Sequence, residues 1–356
     1  MNRYFLYLVF TNMLMNVIIF VPKILIQYRY HGAVMAMIVS LPIGITLCYL
    51  FSYSLSKFPE QGLPEILANV KHVKVKAVII WVIHFAWFSA GLMSLVGFID
   101  MVSRFINPEM PKLMLIFIYL IAVFLVITLS TERVMYLLEM VLFLNIPFIG
   151  FIIFKALFNE ALSWDSMLEV GTHLFEMPNL ITIGAATYVF TGYMNLIIFN
   201  RVIKGKLKIW NFILIFFLGI LNSITTFFIP IGFHGSDGAQ EFLYPWISTA
   251  DSLRLVYSPI ERVIFLYLMA YMSITMISVS IHWHSGLELL KGSFKVVTSK
   301  KIGAILLAYA ACSIIGVLYL NTVMLNKIVQ YWMVARLGLE FVIVFCFFFW
   351  ARRKVA

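Results

Sequence analysis

Charge is what this chain has least of. Only 12% of its 356 residues are Asp, Glu, Lys or Arg, about half the share expected of a soluble domain. That shortage excludes a soluble enzyme or binding domain of this length, and no polar interval is long enough to fold by itself. Period-two alternation is also missing. The apolar runs are continuous, which excludes a transmembrane β-barrel. Cysteine is scarce, with three residues, Cys48, Cys312 and Cys346. All three sit in apolar runs, where they read as inert buried thiols. No CxxC or His/Cys ligand spacing points to a metal. Phosphate loops, nucleophile elbows and paired carboxylates in a polar domain are absent as motifs, so no catalytic activity, metal or cofactor is expected. The first apolar run lacks a small-x-small cleavage site and reads as a retained helix.

What the chain has is apolar length: 63% of its residues are hydrophobic. Runs long enough to cross a bilayer recur throughout, so an all-α integral membrane protein is expected. Ten spans are predicted at 4–27, 33–57, 77–106, 112–130, 134–158, 180–203, 209–231, 259–290, 302–324 and 330–350. The third and eighth exceed the usual length and must tilt or protrude. The formal net charge of +10 does not indicate nucleic acid. Arg3, Lys57, Lys71, Lys74, Lys76, Arg133, Arg201, Lys204, Lys206 and Lys208 fall on one side of the predicted spans. So do Lys291, Lys295, Lys300, Lys301, Arg352, Arg353 and Lys354. The loops on the other side are acidic or mixed, with Glu160, Asp165, Glu169, Glu176, Asp237, Glu241 and Asp251. Both termini are therefore expected in the cytoplasm.

The sixth span, LITIGAATYVFTGYMNLIIFNRVI, carries Thr187, Tyr188, Thr191, Gly192, Tyr193 and Asn195 near its middle. Two readings stand. Thr and Gly serve close helix contacts in membranes. Alternatively the helix is interrupted, and its freed backbone groups line a small-molecule site. Ten spans divide into two sets of five, residues 1–158 and 180–351, with 159–179 and 232–258 as outer-face loops. Five is odd, so the halves would be inverted, and the first span would be the counterpart of the sixth. The first span has its own polar break, with Thr11, Asn12, Asn16 and then Pro22, which frees the carbonyl four residues earlier. Segment 163–177 reads as an amphipathic surface element. Segment 232–258 should pack over the outer mouth.

Several ionisable residues fall inside spans. Arg336 and Glu340 can pair at i, i+4 in the tenth, as a structural ion pair or in coupling. Asp100 and Arg104 have the same spacing near the end of the third and can reach the interface. Glu139 can pair with Arg133 or loop lysines. His84 in the third span reads as either a packing residue or a site residue. His282 and His284 point to different faces and do not form a metal motif.

Segment 243–271, LYPWISTADSLRLVYSPIERVIFLYLMAY, resembles the B-subunit of endospore germination receptors, the spore germination permease family. The residues that carry the likeness are Pro245, Leu253, Arg254, Glu261 and Arg262. KFPEQGLPEIL at 57–67, FTGYMNLIIFN at 190–200 and VPKIL at 21–25 fit as well. The chain differs where that family typically has Gly-x-Gly in the first break, with Met15, Asn16 and Val17 here. It also has Tyr193 where an acidic residue often follows the glycine. The resemblance implies the amino acid–polyamine–organocation transporter fold, with leucine-transporter-like inverted repeats. It implies a nutrient-sensing subunit in the spore inner membrane, beside an A-type membrane subunit and a C-type lipoprotein. A small amino-acid-type ligand would sit between the first and sixth spans, near Asn12, Asn16, His84, Thr187, Thr191, Gly192, Tyr193 and Asn195. The other readings are a proton- or sodium-coupled amino-acid or amine permease, and an assembly subunit that binds nothing.

Overall fold

The computed structural model describes residues 3–69, 72–205, 207–255, 261–294 and 298–355. The expected start of the eighth span at Pro259, the end of the outer loop at Ser258, and Lys71, Lys206 and Lys295 lie outside the described residues. Fifteen α-helices account for most of the rest. They are α1 (Arg3–Asn16), α2 (Val21–Gln27), α3 (Ala33–Leu55), α4 (Leu63–Ile66), α5 (Val73–Phe105), α6 (Lys112–Ile127), α7 (Thr131–Leu157) and α8 (Trp164–Gly171). After them come α9 (Leu180–Thr187), α10 (Leu196–Phe199), α11 (Ile209–His234), α12 (Pro245–Ser252), α13 (Val263–Phe294), α14 (Ser299–Tyr319) and α15 (Thr322–Val355). A 3-10 segment, Tyr188–Asn195, joins α9 to α10. The protein is an all-α, multi-span membrane protein. Among the described residues, eight helical stretches are long and apolar enough to cross a bilayer, Leu180–Val202 with its 3-10 segment being one, or nine if the bent pair α1–α2 counts as one span.

The remaining expected span is α6, a 16-residue helix. At 1.5 Å per residue it is about 24 Å long, short of a ~30 Å hydrocarbon core. It nevertheless runs between the two ends of the bundle. At its start Lys112 Nζ lies 3.5 Å from Asp100 Oδ1. At its finish the carbonyl of Ile127 accepts from His284 Nδ1 at 3.0 Å.

The first span breaks where its sequence indicated. Pro22 lies in the first turn of α2 and cannot donate to the preceding turn. The chain bends by 53° between α1 and α2. The sixth span breaks differently. Asn179 caps α9 by accepting from Thr182 N at 2.8 Å. The helix then tightens to 3-10 geometry and does not unwind into a loop. Thr187 Oγ1 back-bonds to Ile183 O at 2.8 Å and Gly184 O at 3.1 Å, a habit that bends helices.

Lipid gives helices no hydrophobic reason to associate, so small residues and polar bonds must hold them. Phe190 of the 3-10 segment shows the first device. Its ring is seated between Gly44 of α3 and Gly219 of α11, where added Cβ atoms would come within 2.1 and 2.5 Å of it. α5 packs on α13 and α1 on the 3-10 segment, α13 also meets α7 and α6, and α3 meets α11 as α6 meets α14. α15 lies across α3 and α9.

The end that carries the loop after α11 is closed by Asp100. Its Oδ2 accepts from Tyr244 Oη at 2.8 Å, Arg104 Nε at 2.8 Å and Thr322 Oγ1 at 3.1 Å. One carboxylate thus ties α5, the loop and the start of α15. The sequence reading let Asp100 and Arg104 snorkel, but Asp100 is buried. Burial and then the Asp100 carboxylate push the Tyr244 phenol up from its usual value. Tyr244→Phe removes a charge-assisted hydrogen bond of about 1.5–3 kcal/mol. Protease cutting of the loop in proteoliposomes should then be about tenfold faster or more. An unchanged rate would show that the contact does not hold the loop.

The two loop elements are structured. α8 is capped by Ser163 and packs on α11, with Met167 and Val170 buried and Trp164 and Leu168 exposed. α12 packs on α2, α11 and α13, and buried Trp246 stacks on Tyr267.

Candidate functional site

Two small cavities lie where the first, third, sixth and tenth spans meet. The first is lined by Trp87 and Ala90 of α5, Tyr188, Thr191, Met194 and Asn195 of the 3-10 segment, His282 of α13, and Trp332, Arg336 and Glu340 of α15. The second is lined by Asn16, Ile19 and Phe20 around the α1–α2 break, with Met93, Ser94, Val329 and Met333. Ala90, Tyr188 and Trp332 line both, so the rings of Tyr188 and Trp332 separate them. The rings meet edge to face, with centroids 6.2 Å apart. The cavities measure about 30 and about 20 Å³. Each water needs at least about 10–15 Å³, so this closed arrangement has room for one or two waters in each.

Arg336 organises the first cavity. The switch to 3-10 geometry sends Tyr188 N–H to Ala185 O, so Gly184 O loses its helical donor. Arg336 Nη2 supplies one at 2.7 Å and also donates to Thr187 Oγ1 at 2.9 Å. Nη1 donates to Thr191 Oγ1 at 2.5 Å and pairs with Glu340 Oε2 at 2.8 Å. The guanidinium also lies over the Tyr188 ring. Both charged side chains are 5% exposed. Arg336 Nε and Glu340 Oε1 have no hydrogen-bond partner among the described residues. The expected i, i+4 pair is thus present, and its arginine also reaches the break in the sixth span. Asn195 Oδ1 accepts from Trp87 Nε1 at 2.8 Å, and Trp332 Nε1 donates to Ser89 Oγ at 2.9 Å.

The other expected site residues divide. Asn16 lines the second cavity. Its amide donates to Asn222 Oδ1 at 3.1 Å, while Asn222 Nδ2 donates to Met13 O at 2.9 Å. Asn12 lines neither cavity, and its amide donates to Tyr188 O. Gly192 is a contact glycine: an added Cβ would lie 2.4 Å from Leu8 O and 2.6 Å from Val9 Cα. Thr187 holds Arg336 and does not line a cavity. Tyr193 is buried, edge-on to the Phe51 ring. His84 also lies outside both cavities. Its Nδ1–H donates to Gly286 O at 3.0 Å, and its ring stacks near Phe88 and Tyr309. It is a packing histidine, and Trp87 at the next turn takes the cavity face. The sixth span therefore divides its residues, with Gly192 at a close helix contact and Thr191 and Asn195 on the wall of the first cavity.

One ion pair and the exposure of two cysteines differ from expectation. Glu139 pairs with Arg3 at 3.0 Å and not with Arg133, because α1 packs on α7. His284 donates from Nδ1 to Ile127 O, which leaves Nε2 to accept from Thr131 Oγ1 at 3.1 Å. Cys48 is buried, but Cys312 and Cys346 are exposed, on helices whose apolar faces look outward. Unanticipated pairings also close the bundle. Arg201 bridges Glu65 at 2.7 Å and Glu288 at 2.6 Å. Arg29 holds Asp237 across the loop end, and that hydrogen bond keeps the Asp237 carboxyl below its usual range.

A family model described as spore germination protein matches residues 2–322. No curated protein matches the chain. The match covers most of the chain, which therefore belongs to the spore germination permease family, a permease-type and not an enzyme family.

Proposed function

We propose that this member of the spore germination protein family is a nutrient-sensing subunit of a spore germination receptor, and that it takes a small amino-acid-type ligand at the Arg336–Glu340 cavity. The observation that carries the reading is a buried ion pair with unsatisfied atoms on both partners, set beside a broken helix. A zwitterionic amino acid matches both charges: its carboxylate suits Arg336 and its ammonium suits Glu340. The indoles of Trp87 and Trp332 and the Tyr188 ring would enclose the side chain. The cavity must widen to admit even a small amino acid. Ligand binding would then favour a more open arrangement of the helices, and partner A-type and C-type subunits would read that shift.

Ten spans in two inverted halves fit this reading. Four of the packings join the first span to the sixth, the second to the seventh, the third to the eighth and the fourth to the ninth. Each joins a span to its counterpart five along, an arrangement that a two-fold axis in the membrane plane allows. The cross-packings come in matching pairs too. α1 meets α11 as α3 meets the 3-10 segment, and α7 meets α13 as α5 meets α15. In that frame the termini are cytoplasmic and the loop after α11 covers the outer side.

Spores lacking the gene should lose germination with at least one amino acid in a nutrient panel, and a Trp87→Ala copy should fail to restore it. Trp87→Ala removes the donor to Asn195 and one wall of the cavity, so the response should fall about tenfold or more. Full restoration by Trp87→Ala would remove the cavity from the mechanism. Glu340, a carboxylate buried within a span, favours a second reading, a proton-coupled permease using the same cavity. Uptake of labelled amino acid by the purified chain in liposomes would support it.

A further inference from the structure

A third cavity lies at the end of the bundle that carries the termini. It measures about 360 Å³, and its lining is apolar apart from one thiol. Phe51, Leu63 and Ile197 are among the residues of its floor, and its rims are α5, with Ile79 and Ile83, and α15, with Val342 and Cys346. Val342 is 60% exposed and Ile79 36%, so the groove opens on the faces of two spanning helices. In that layer its occupant has to be hydrocarbon.

Charge at one end narrows the choice. On α5, Lys76 precedes Ile79 by three residues and Ile83 by seven, so all three share a face. On α15, Arg353 follows Trp350 by three and Cys346 by seven and shares theirs. Both basic residues lie at the ends of their apolar stripes, where a headgroup would rest. We propose that this groove is a specific lipid site, holding one acyl chain of an anionic phospholipid between α5 and α15 with its phosphate near Lys76 and Arg353. The site borders the candidate ligand cavity directly. Ile343 lines both, and Ile197 follows Asn195 in the sixth span.

Cys346 reports occupancy. In a Cys312→Ser chain it is the exposed thiol, since Cys48 is buried. Maleimide alkylation of the full chain in detergent can be followed by mass, with added dioleoylphosphatidylglycerol or dioleoylphosphatidylcholine. The phosphatidylglycerol should slow alkylation at least about fivefold more than the phosphatidylcholine. Lys76→Gln with Arg353→Gln should abolish the difference. A bulk-filling Ile83→Trp variant should slow alkylation without any lipid. Equal protection by the two lipids would make the groove part of the general lipid annulus and overturn the proposal. So would a difference that survives in the Lys76→Gln, Arg353→Gln chain, or no protection by either lipid.

Discussion

Replacing Arg336 with Gln is expected to remove most of the folded protein from the membrane. Glu340 would keep a buried charge without its partner, and breaking such a pair by removing one side costs about 3–5 kcal/mol. The loss extends further, because Gly184 O, Thr187 Oγ1 and Thr191 Oγ1 all accept from the same guanidinium. The total is comparable with the whole stability of many domains. Membrane abundance and the melting midpoint in mild detergent would read the effect. A second variant separates structure from function. Arg336→Leu with Glu340→Leu removes both charges, and buried pairs replaced by apolar residues are often neutral or better. The double variant should therefore recover abundance well above Arg336→Gln, while the nutrient response stays absent. If the double variant responded to nutrient as the wild type does, the pair would be structural alone.

The second large effect is at Gly192. A Val there would drive a Cβ into Leu8 O and Val9 Cα, which are backbone atoms of α1 and cannot turn aside. Overpacking of this kind costs about 1–3 kcal/mol where side chains can yield, and a contact with backbone belongs at the upper end. α1 would have to move off the 3-10 segment, and the Asn12 bond to Tyr188 O would go with it. Gly192→Val should lower the melting midpoint sharply. Gly150→Ala and Gly338→Ala are the controls. An added Cβ at either meets nothing within 4 Å, and alanine favours a helix over glycine by about 1 kcal/mol. A Gly192→Val protein as stable as these controls would mean that α1 and the sixth span are less closely packed than described.

Periodicity and composition were enough to read the spanning helices, since continuous apolar runs have few other uses. The break after Asn16 was legible because Pro22 acts on its own backbone, whatever surrounds it. The Arg336–Glu340 pair was legible because i, i+4 spacing is local. What Arg336 does besides pairing was not legible. Its bonds to Gly184 and Thr187 cross about 150 residues of sequence, and no local pattern encodes that. Trp332 and His282 were missed as cavity residues for the same reason. Indoles are common in membrane spans, and which ones meet depends on how α5 and α15 cross. His84 was left between packing and site, since its span alone does not say which side packs on α13. The Thr–Gly–Tyr–Asn run of the sixth span was read as one cluster. In three dimensions it splits, with Thr191 and Asn195 lining the cavity, Gly192 meeting α1, and Tyr193 turned toward α3.

The central claim is that the Arg336–Glu340 cavity binds an amino acid, and equilibrium binding tests it most directly. Radiolabelled L-amino acids would be titrated, one by one, against the purified full chain in lipid nanodiscs. At least one should bind saturably to the wild type. Arg336→Lys keeps the charge but loses the forked geometry that holds a carboxylate, so it should weaken that binding about tenfold or more while the protein stays folded. Saturable binding of equal strength in wild type and a folded Arg336→Lys chain would contradict the account.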